Sequence, residues 1–434
     1  MKRWFGVWIA VGLFSLPARA ATLRIYHIDV EQADATLFIA PGGKALLVDS
    51  GKDGMGSRIK AVMEAAGLAR VDYFVCTHYH EDHYGGIDEL VALDTPVLET
   101  YDRGDKLYLP ASKLAETAYT NYLDSVGEDA RHITRGMTIP LDPQMTVTCI
   151  SSGGVVIGEA NPRHGVDEND MSVSLLLSYG SFRYFIGGDI EAPTEAKIAA
   201  GDLVRNVSVY HSNHHGSDTS SSRAFIEDLE PGVIIISNGN NGTYKHPRQT
   251  VLDAYETLPG PPKVFQTNKY LKGGAGGNVA DEFIADPESA DLDGTILITV
   301  DLTGGEYRVS YGAGAEHEFA LPGSAPGATV VIASLLPNPA GSDEEGERVV
   351  LANKGDAPVF LAGWWLEDRA GLRWELGGSI TLQAGATRTI ERNGRPMSLS
   401  NTGDDITLFD AAGAMRDRFE YDESSEGVAI TTGH

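Results

Sequence analysis

The chain has 434 residues, of which 42% are hydrophobic and 22% are charged, and its formal net charge is −27 at pH 7. This length accommodates two or three domains with cores of their own, and this composition excludes a disordered or fibrous protein. So acidic a surface repels phosphate backbones and anionic lipids, which excludes tight non-specific binding to nucleic acids or membranes.

The first twenty residues are typical of a secretory signal. Lys2 and Arg3 precede an apolar stretch over residues 4–16, and a small-x-small triplet follows at residues 18–20. We therefore predict a signal peptide over residues 1–20 and a secreted or periplasmic mature protein. The apolar stretch is short for a bilayer-spanning helix, and no later segment is apolar enough, so we expect no membrane span after cleavage.

The N-terminal half alternates short apolar strands with helical stretches, which predicts an α/β domain. A β-meander opens it, one helix ends at Gly67, and a buried strand over residues 71–76 leads directly into a histidine-rich run. Because α/β layers build sites at the carboxyl ends of strands, we expect function at that edge. Further strands are predicted at residues 173–177, 182–186, 207–210 and 233–237.

The composition changes beyond about residue 272, where glycine-rich and acidic loops precede a last predicted β-pair. We assign that pair to the end of the first domain, residues 21–312, and predict a linker over residues 313–327. Residues 328–422 consist of short β runs with glycine and asparagine turns, which predicts an all-β sandwich. Residues 423–434 are predicted to be a flexible tail.

Residues 78–83 have the sequence HYHEDH and lie between an apolar strand and a pair of glycines. Divalent ions such as zinc take imidazole and carboxylate ligands. His78 and His80 have the alternate spacing that puts two side chains on the same face of an extended segment. Asp82 and His83 come from the next loop, where they can face a second ion, as in two-metal hydrolysis. The sequence therefore predicts a site for one or two divalent ions, Zn²⁺ or Mn²⁺.

Together with several separated segments, this run resembles the metallo-β-lactamase superfamily, and within it the β-lactamase-like domain of the ComEC competence proteins and their secreted relatives. The segments are Asp29–Asp34, in which Glu31 and Ala33 stand where glycine is usual, Leu46–Gly51, Asn169 with Ser172–Val173, Gly188–Asp189, His214–Ser217 and His246–Pro247. The resemblance covers residues 22 to about 312 and implies an αββα sandwich.

The resemblance also implies roles for the matched residues. One ion is held by two histidines, the other by an Asp-His pair and a late histidine, and a bridging aspartate shares its two oxygens between them. Water that the ions activate is the nucleophile. The implied ligands of the first ion are His78 and His80, and those of the second ion are Asp82, His83 and His214. The implied bridging aspartate is Asp189. The implied catalytic residues are Asp82, Asp189 and His215.

Two assignments stay open. Many superfamily members supply a further histidine to the first ion, but Asn169 or Asp170 stands at the expected place here. His164 lies in a nearby loop, and we interpret it as a surface residue. His215 and His246 either contact the substrate and protonate the leaving group, or orient the ligands by hydrogen bonds.

The C-terminal region resembles the lamin-tail domain, an immunoglobulin-like sandwich, through less specific motifs. These are residues 334–339, 347–353, 361–366 and 399–408. The resemblance implies a module that binds a surface or a polymer. Trp364, Trp365 and Trp374 either form a binding face or pack in the core, and we expect core packing for at least one of them.

The preferred interpretation is a secreted phosphodiesterase or nuclease, with weakly held DNA or nucleotides as substrate. One alternative is hydrolysis of a lactam, lactone or thioester, because the same ions polarise a carbonyl. Another is a non-catalytic surface-binding protein with a relic metal domain, against which the near-complete ligand set argues. Cys76 and Cys149 both lie in apolar runs, and the sequence leaves a single disulfide and two buried thiols equally open.

Overall fold

In the computed structural model, the described residues run from 22 to 432, with gaps at 105–116, 160–166, 290–293, 303–304, 313, 322–329, 356–357, 377–379, 412 and 414. The predicted signal peptide and His164 lie outside the described residues. Within the described part of the chain, no helix has the length and apolar character needed to cross a membrane.

The strands of the first domain form two sheets. In chain order they are β1 (Leu23–His27), β2 (Thr36–Ile39), β3 (Ala45–Val48), β4 (Val71–Val75), β5 (Val97–Asp102), β6 (Arg131–His132), β7 (Thr138–Ile139), β8 (Met145–Ser152), β9 (Val155–Val156), β10 (Ser174–Tyr179), β11 (Phe182–Ile186), β12 (Val209–His211), β13 (Val233–Ile236), β14 (Lys263–Asn268), β15 (Ile284–Asp286), β16 (Ile296–Asp301), β17 (Glu306–Tyr311) and β18 (Ala315–Ala320). The first sheet has the order β18-β17-β16-β1-β2-β3-β4-β5-β6, and the second β15-β14-β13-β12-β11-β10-β8-β7, with β9 beside β8.

Helices cover the outer faces of both sheets. They are α1 (Gly56–Ala65), α2 (Glu81–Tyr84), α3 (Ile87–Ala92), α4 (Thr117–Tyr122), α5 (Ala192–Ala200), α6 (Arg223–Leu229) and α7 (Gln249–Glu256). In α1, Ile59 and Met63 are four residues apart, so both side chains face the first sheet and are buried there. The helices α5, α6 and α7 pack in the same way on the second sheet.

A single apolar core fills the space between the two sheets. It combines inward-facing residues of the first sheet, such as Ile25 and Phe38, with residues of the second, such as Val209 and Phe265. Two sheets with helices on both outer faces form an αββα sandwich, which confirms the predicted fold class.

The central strands of each sheet run parallel, β3 to β5 in the first and β11 to β14 in the second. The carboxyl ends of parallel strands lie at one edge of a sheet. The loops that follow β3, β4, β11, β12 and β13 therefore meet at one edge of the sandwich, and these loops carry the predicted site residues.

The second domain is an all-β sandwich, as predicted. Its elements are β19 (Val330–Leu336), α8 (Asp343–Gly346), β20 (Arg348–Asn353), β21 (Val359–Phe360), β22 (Trp365–Glu367), β23 (Arg373–Glu375), β24 (Thr381–Leu382), β25 (Thr387–Glu391), β26 (Asp404–Phe409), β27 (Met415–Tyr421) and β28 (Ile430–Thr431). The sheets β25-β20-β19-β28 and β23-β22-β26-β27 enclose one core, and β21 pairs with β24. Trp364 and Trp374 lie in that core, whereas Trp365 stacks on Phe409 at the surface, with ring centroids 5.2 Å apart.

The structure differs from the predicted domain boundaries in two places. The strand β18 pairs with β17, so the first sheet continues to Ala320, through part of the predicted linker. The strand β28 pairs with β19, so Ile430–Thr431, in the predicted flexible tail, belongs to a sheet. Neither strand buries a side chain fully, so neither shows the apolar pattern by which a strand is recognised in a sequence.

The two cysteines are free and buried in different layers of the first domain. Cys76 packs between the first sheet and its helices, whereas Cys149 lies between the two sheets. Each thiol donates a hydrogen bond to a carbonyl two residues further on, Cys76 to His78 at 3.2 Å and Cys149 to Ser151 at 3.3 Å. Of the two alternatives, the structure has two buried thiols.

We predict that a chain truncated after Leu321 keeps the stability of the first domain, because it retains both sheets. A chain truncated after Gly312 lacks β18, so Tyr307 loses the ring of Phe319, whose centroid lies 5.2 Å away. We expect this shorter chain to lose about 2–4 kcal/mol of unfolding free energy, from one aromatic pair and several backbone hydrogen bonds. Urea denaturation measures the unfolding free energy of both chains. Equal stability would mean that residues 315–320 belong to the linker and not to the first domain.

Candidate metal centre

The first part of the site follows β4 directly. His78 is fully buried, and its Nε2 atom lies 2.9 Å from Nδ1 of His80. The chain then enters the short helix α2, which carries Asp82 and His83. The extended segment and the helical turn after it thus direct three imidazoles and one carboxylate toward the edge of the sandwich.

Asp189 is placed by a glycine turn after β11. Gly188 has φ of 58°, and a β-carbon there would lie 2.9 Å from the side chain of Thr77, so a larger residue would be strained and crowded. The backbone N–H of Asp189 donates to Oγ of Ser172 at 3.1 Å. These contacts fix a carboxylate that is 2% exposed.

The third part of the site follows β12 and contains two consecutive left-handed residues. His214 has φ of 51° and His215 has φ of 53°. Such a conformation costs about 1–3 kcal/mol for each non-glycine residue and is found mainly at functional sites. It brings both rings toward Asp189: Nε2 of His214 lies 3.6 Å from Oδ2, and Nε2 of His215 lies 3.9 Å from Oδ1.

The titratable groups form two overlapping clusters in which one ligand atom of each residue lies within 4.8 Å of the others. The first cluster contains His78, His80 and Asp189, and the second contains Asp34, His83, Asp189 and His215. Asp189 is common to both. The edge of the sandwich therefore offers two adjacent sets of imidazole and carboxylate ligands.

A partner on the far side fixes the orientation of three of the imidazoles. Nδ1 of His83 donates to Oδ2 of Asp49 at 2.8 Å, and Nδ1 of His215 donates to the Ser237 carbonyl at 3.1 Å. Nδ1 of His214 lies 3.1 Å from the hydroxyl of Thr219. In each ring the Nε2 atom is left to face the cluster, which is the arrangement of metal-binding histidines.

The electrostatics of the site are dominated by buried carboxylates. Burial alone would raise the pKa of Asp189, but the charges of His83 and His214 hold it well below its usual value. Burial lowers the pKa of His83, yet Asp189 and Asp49 raise it well above its ordinary value. For His215, the charges of Asp34 and Asp189 overcome burial and raise the pKa to about 9. The cluster thus attracts positive charge.

Several buried polar atoms of the described residues lack a hydrogen-bond partner, and four of them belong to the second cluster. These are Nε2 of His83, Nε2 of His215, Oδ1 of Asp34 and Oδ1 of Asp189. Leaving a buried polar atom unsatisfied costs about 1–3 kcal/mol, so such atoms need an explanation. Imidazole nitrogens and carboxylate oxygens are the ligands that Zn²⁺ and related divalent ions take, so the residues present fit a metal centre.

Most of the predicted ligands lie together, but two of them, Asp82 and His214, lie outside both clusters. His78, His80, His83 and Asp189 occupy the clusters that the sequence indicates. The sequence assigned His214 to the second ion and left His215 either to contact the substrate or to orient the ligands. In the structure, His215 shares a cluster with His83, while His214 lies outside both clusters, next to Asp189. The carboxylate of Asp82 faces this second cluster, 3.5 Å from Nε2 of His215.

The remaining candidates surround the clusters. The Asn169 amide donates to Oε1 of Glu191 at 3.2 Å, and Oδ1 of Asp170 accepts the backbone N–H of Glu191 at 3.0 Å. Asp170 therefore supports a loop rather than facing the cluster. His246 is buried, and its ring centroid lies 5.3 Å from that of His214. These contacts favour an orienting role for His246.

Sequence reasoning missed the residues that support the ligands. Asp34 lies 3.2 Å from Nε2 of His211 and 3.7 Å from Nδ1 of His215, and Asp49 holds His83. Their segments resemble the family, so the signal was present, but no local spacing indicates which histidine each aspartate contacts.

A buried ion pair holds the His78–His80 segment. Arg103 donates to Oε1 and Oε2 of Glu168, both at 2.7 Å, and Oε1 of Glu168 also accepts the backbone N–H of Tyr79 at 2.8 Å. The guanidinium lies 4.3 Å from the centroid of the Tyr79 ring. Arg103 and Glu168 therefore hold Tyr79, which lies between the candidate ligands His78 and His80, in place. We assign both residues a positioning role.

The site opens into a polar cavity of about 660 Å³. Asp82, Asp189 and His215 lie in its lining, together with cationic Lys52 and Arg248. A cavity of this size accommodates a small ligand or one unit of a polymer.

Clustered histidines and carboxylates at the strand ends of an αββα sandwich define the metal-dependent hydrolase domains. The family comparison is more specific. Residues 28–235 match the metallo-beta-lactamase superfamily, and residues 323–423 match the lamin tail domain. The N-terminal domain of this chain therefore belongs to the metallo-β-lactamase superfamily, and the C-terminal domain is a lamin tail domain.

Curated relatives confirm the resemblance to competence proteins. The chain is 23% identical over 257 residues to ComE operon protein 3 of Bacillus subtilis, which covers 55% of this chain and 31% of the relative. It is 24% identical over 241 residues to competence protein ComA of Neisseria gonorrhoeae, covering 55% and 30%. The chain thus spans about a third of the length of these relatives. Among solved structures it is similar to Zn²⁺-bound PqqB from Methylobacterium extorquens, at 17% identity and a TM-score of 0.35, over 54% of this chain and 85% of that one.

We predict that the purified protein binds one or two divalent ions per chain. Chelation should lower the unfolding temperature of the first domain, because buried carboxylates then lose their counter-charge. Restoring Zn²⁺ or Mn²⁺ at about a hundred times the dissociation constant should return about 2.7 kcal/mol. Elemental analysis and thermal unfolding measure both effects. A protein that holds no ion after reconstitution would contradict this prediction.

A second prediction concerns the Arg103–Glu168 ion pair that holds Tyr79. Arg103→Met removes both hydrogen bonds to Glu168, so the affinity for the ion next to His78 should fall about 10- to 100-fold. Competition with a chelating dye gives the affinity of each ion. The matched control is Arg131→Met, which breaks an exposed pair with Glu99 on the same sheet. Wild-type metal affinity in the Arg103 variant would reduce the ion pair to a fold-stabilising role.

Proposed function

We propose that the chain is an extracytoplasmic metal-dependent phosphodiesterase that acts on DNA or nucleotides. The observation that carries this proposal is the convergence of buried ligand atoms without hydrogen-bond partners from His83, Asp189 and His215, of which Asp189 and His215 also line a polar cavity. A protein retains such unsatisfied groups where they bind something.

We assign the ligands as follows. His78 and His80 hold one ion, and His83 and His215 hold the other, with Asp189 shared between them. His214, adjacent to Asp189, remains a candidate further ligand. When bound, Zn²⁺ or Mn²⁺ ions polarise a phosphoryl oxygen and lower the pKa of water toward neutrality.

The other groups of the chain suit a phosphodiester. Asp82 presents a carboxylate that is one-third exposed to the cavity, with its oxygens 3.9 Å from His83 and 3.5 Å from His215. In that position it can accept a proton from an attacking water. Lys52 and Arg248 also line the cavity, where Lys52 pairs with Glu31 and Arg248 with Asp218, and a bound phosphate can share these cations with their carboxylate partners.

The rival functions are less consistent with these observations. A relic metal domain has no need of buried Asp34, Asp49 and Asp189, each at most 2% exposed, because taking a carboxylate out of water costs several kcal/mol even where a histidine pairs with it. A lactam or lactone would gain from an apolar wall, whereas the residues described around the cavity are polar, charged or aromatic. One of the curated relatives is named competence protein ComA, which is consistent with a DNA substrate for the proposed activity.

The predicted signal peptide supports a location outside the cytoplasm. The fusion to a lamin tail domain is consistent with attachment to a surface or polymer. In the lamin tail domain Trp365 is half-buried while Trp364 and Trp374 are 2% and 0% exposed, but Phe409 and Arg373 already contact its ring, so a partner would have to displace Arg373.

We predict hydrolysis of bis(4-nitrophenyl) phosphate and of DNA, and no turnover of nitrocefin, a lactone or a thioester. Asp189→Asn should lower kcat on the order of a hundredfold or more, since the carboxylate belongs to both clusters. Asp228→Asn, which affects only a surface pair with Arg205, is the control. Cleavage of nitrocefin or the lactone, without cleavage of the phosphodiesters, would contradict the proposed function and favour hydrolysis of a lactam, lactone or thioester.

A further inference from the structure

Two loops interlock at the mouth of the cavity. One follows β13 and spans residues 239–248, and the other follows β14 and spans residues 269–278. The side-chain oxygen of Asn240 accepts the backbone N–H of Leu271 at 2.9 Å. The side chain of Lys272 runs beside Gly242, where a β-carbon would lie 3.4 Å from its Cγ atom. The two loops therefore form one continuous lip.

Tyr244 projects from this lip. It is 55% exposed, although it is a large aromatic residue, and it lines the cavity. Its backbone is held by Asn241, whose side-chain oxygen accepts the N–H of Thr243 at 2.7 Å and of Tyr244 at 3.2 Å. The phenol ring is thus presented to solvent by a pre-formed turn, so it loses little freedom when a ligand covers it.

The ring of Tyr244 lies within reach of the metal cluster. Its centroid is 6.1 Å from that of His246, and the His246 centroid is 5.3 Å from that of His214. A planar group stacked on Tyr244 would therefore be separated from a phosphate at the candidate ions by about the width of one side chain, that of His246. This is the relation between a base and the phosphodiester beside it in a nucleotide chain.

Two lysines belong to the same pair of loops as Tyr244. Lys245 follows it directly, and its side chain reaches the second loop, where Nζ would lie 3.8 Å from a β-carbon at Gly274. Lys272 comes from the second loop itself. Among the residues that the structure describes, no carboxylate forms an ion pair with either lysine, although the chain carries a net charge of −27. Cations without acidic partners beside an aromatic face favour a polyanion with exposed bases.

We infer that Tyr244, Lys245 and Lys272 form a binding site for single-stranded nucleic acid, in which a base stacks on Tyr244 and the lysines contact the flanking phosphates. This inference rests on the proposed function and specifies its substrate class. In a duplex the bases are stacked on each other, so only an unpaired strand or strand end offers a free base face to the phenol. A phosphodiester without a base would gain nothing from Tyr244.

The test compares two phosphodiesters of equal charge, the dinucleotide d(TpT) and glycerophosphoglycerol. Stacking on an aromatic side chain contributes about 1–3 kcal/mol per base, so Tyr244→Ala should lower the ratio of kcat/KM between d(TpT) and glycerophosphoglycerol about 5- to 100-fold. The loss should be in KM for the dinucleotide, and the Kd of dTMP measured by calorimetry should weaken in parallel. Tyr244→Phe, which keeps the ring, should retain the ratio.

The outcomes separate the two proposals. If the wild-type protein cleaves neither phosphodiester, the proposed function fails and this inference fails with it. If it cleaves d(TpT) but Tyr244→Ala leaves the ratio and the dTMP affinity at the wild-type values, only the stacking site is overturned. Equal loss on both substrates would make Tyr244 a structural residue of the cavity, which also overturns it.

The lysines are tested by the salt dependence of activity on an oligothymidylate. Each phosphate contact on a single strand contributes about 0.7 to the slope of log(kcat/KM) against log salt. The double variant Lys245→Gln, Lys272→Gln should therefore reduce that slope by about 1.4. Lys60→Gln, on helix α1 beside Glu64, is the matched control. An unchanged slope in the double variant would remove the lysines from the site.

Discussion

The whole site depends on the burial of one carboxylate, Asp189, among imidazoles. Nε2 atoms of His78, His83 and His214 lie 3.8, 3.4 and 3.6 Å from the same oxygen, Oδ2. A buried carboxylate on its own costs several kcal/mol, which only opposite charge in close contact offsets. The loops after β4, β11 and β12 can therefore adopt their positions only together. The left-handed backbone of His214 and His215 is the local strain that this arrangement requires.

The parts of the site that could be predicted from sequence are those encoded locally. The HYHEDH run shows its ligand spacing within six residues, and Asp189 follows a strand through a glycine pair. The choice between His214 and His215 could not be made in this way. The direction in which a side chain points depends on the backbone angle φ. Because His214 and His215 both have positive φ, their side chains do not point where an extended chain would place them.

Contacts between distant segments were equally invisible. Arg103 and Glu168 are separated by 65 residues, and neither stands in a recognisable motif, yet together they hold the backbone of Tyr79. The strand β18 escaped prediction because it is an edge strand whose residues are at most half-buried, and an edge strand needs only one partner. Topology follows from apolar alternation, whereas edges and supporting contacts follow from the assembled fold.

The placement of the two thiols has a consequence for folding under oxidising conditions. Cys76 lies between the first sheet and its helices, and Cys149 lies on β8 between the two sheets. The first sheet separates them, so a covalent link between them is incompatible with the native packing. Burial raises the pKa of the Cys76 thiol well above its usual value and that of Cys149 to about 12, which keeps both in the unreactive protonated form once the core has closed. In an oxidising compartment the chain must therefore fold before its cysteines are oxidised. In a reducing compartment the order of these two events does not matter.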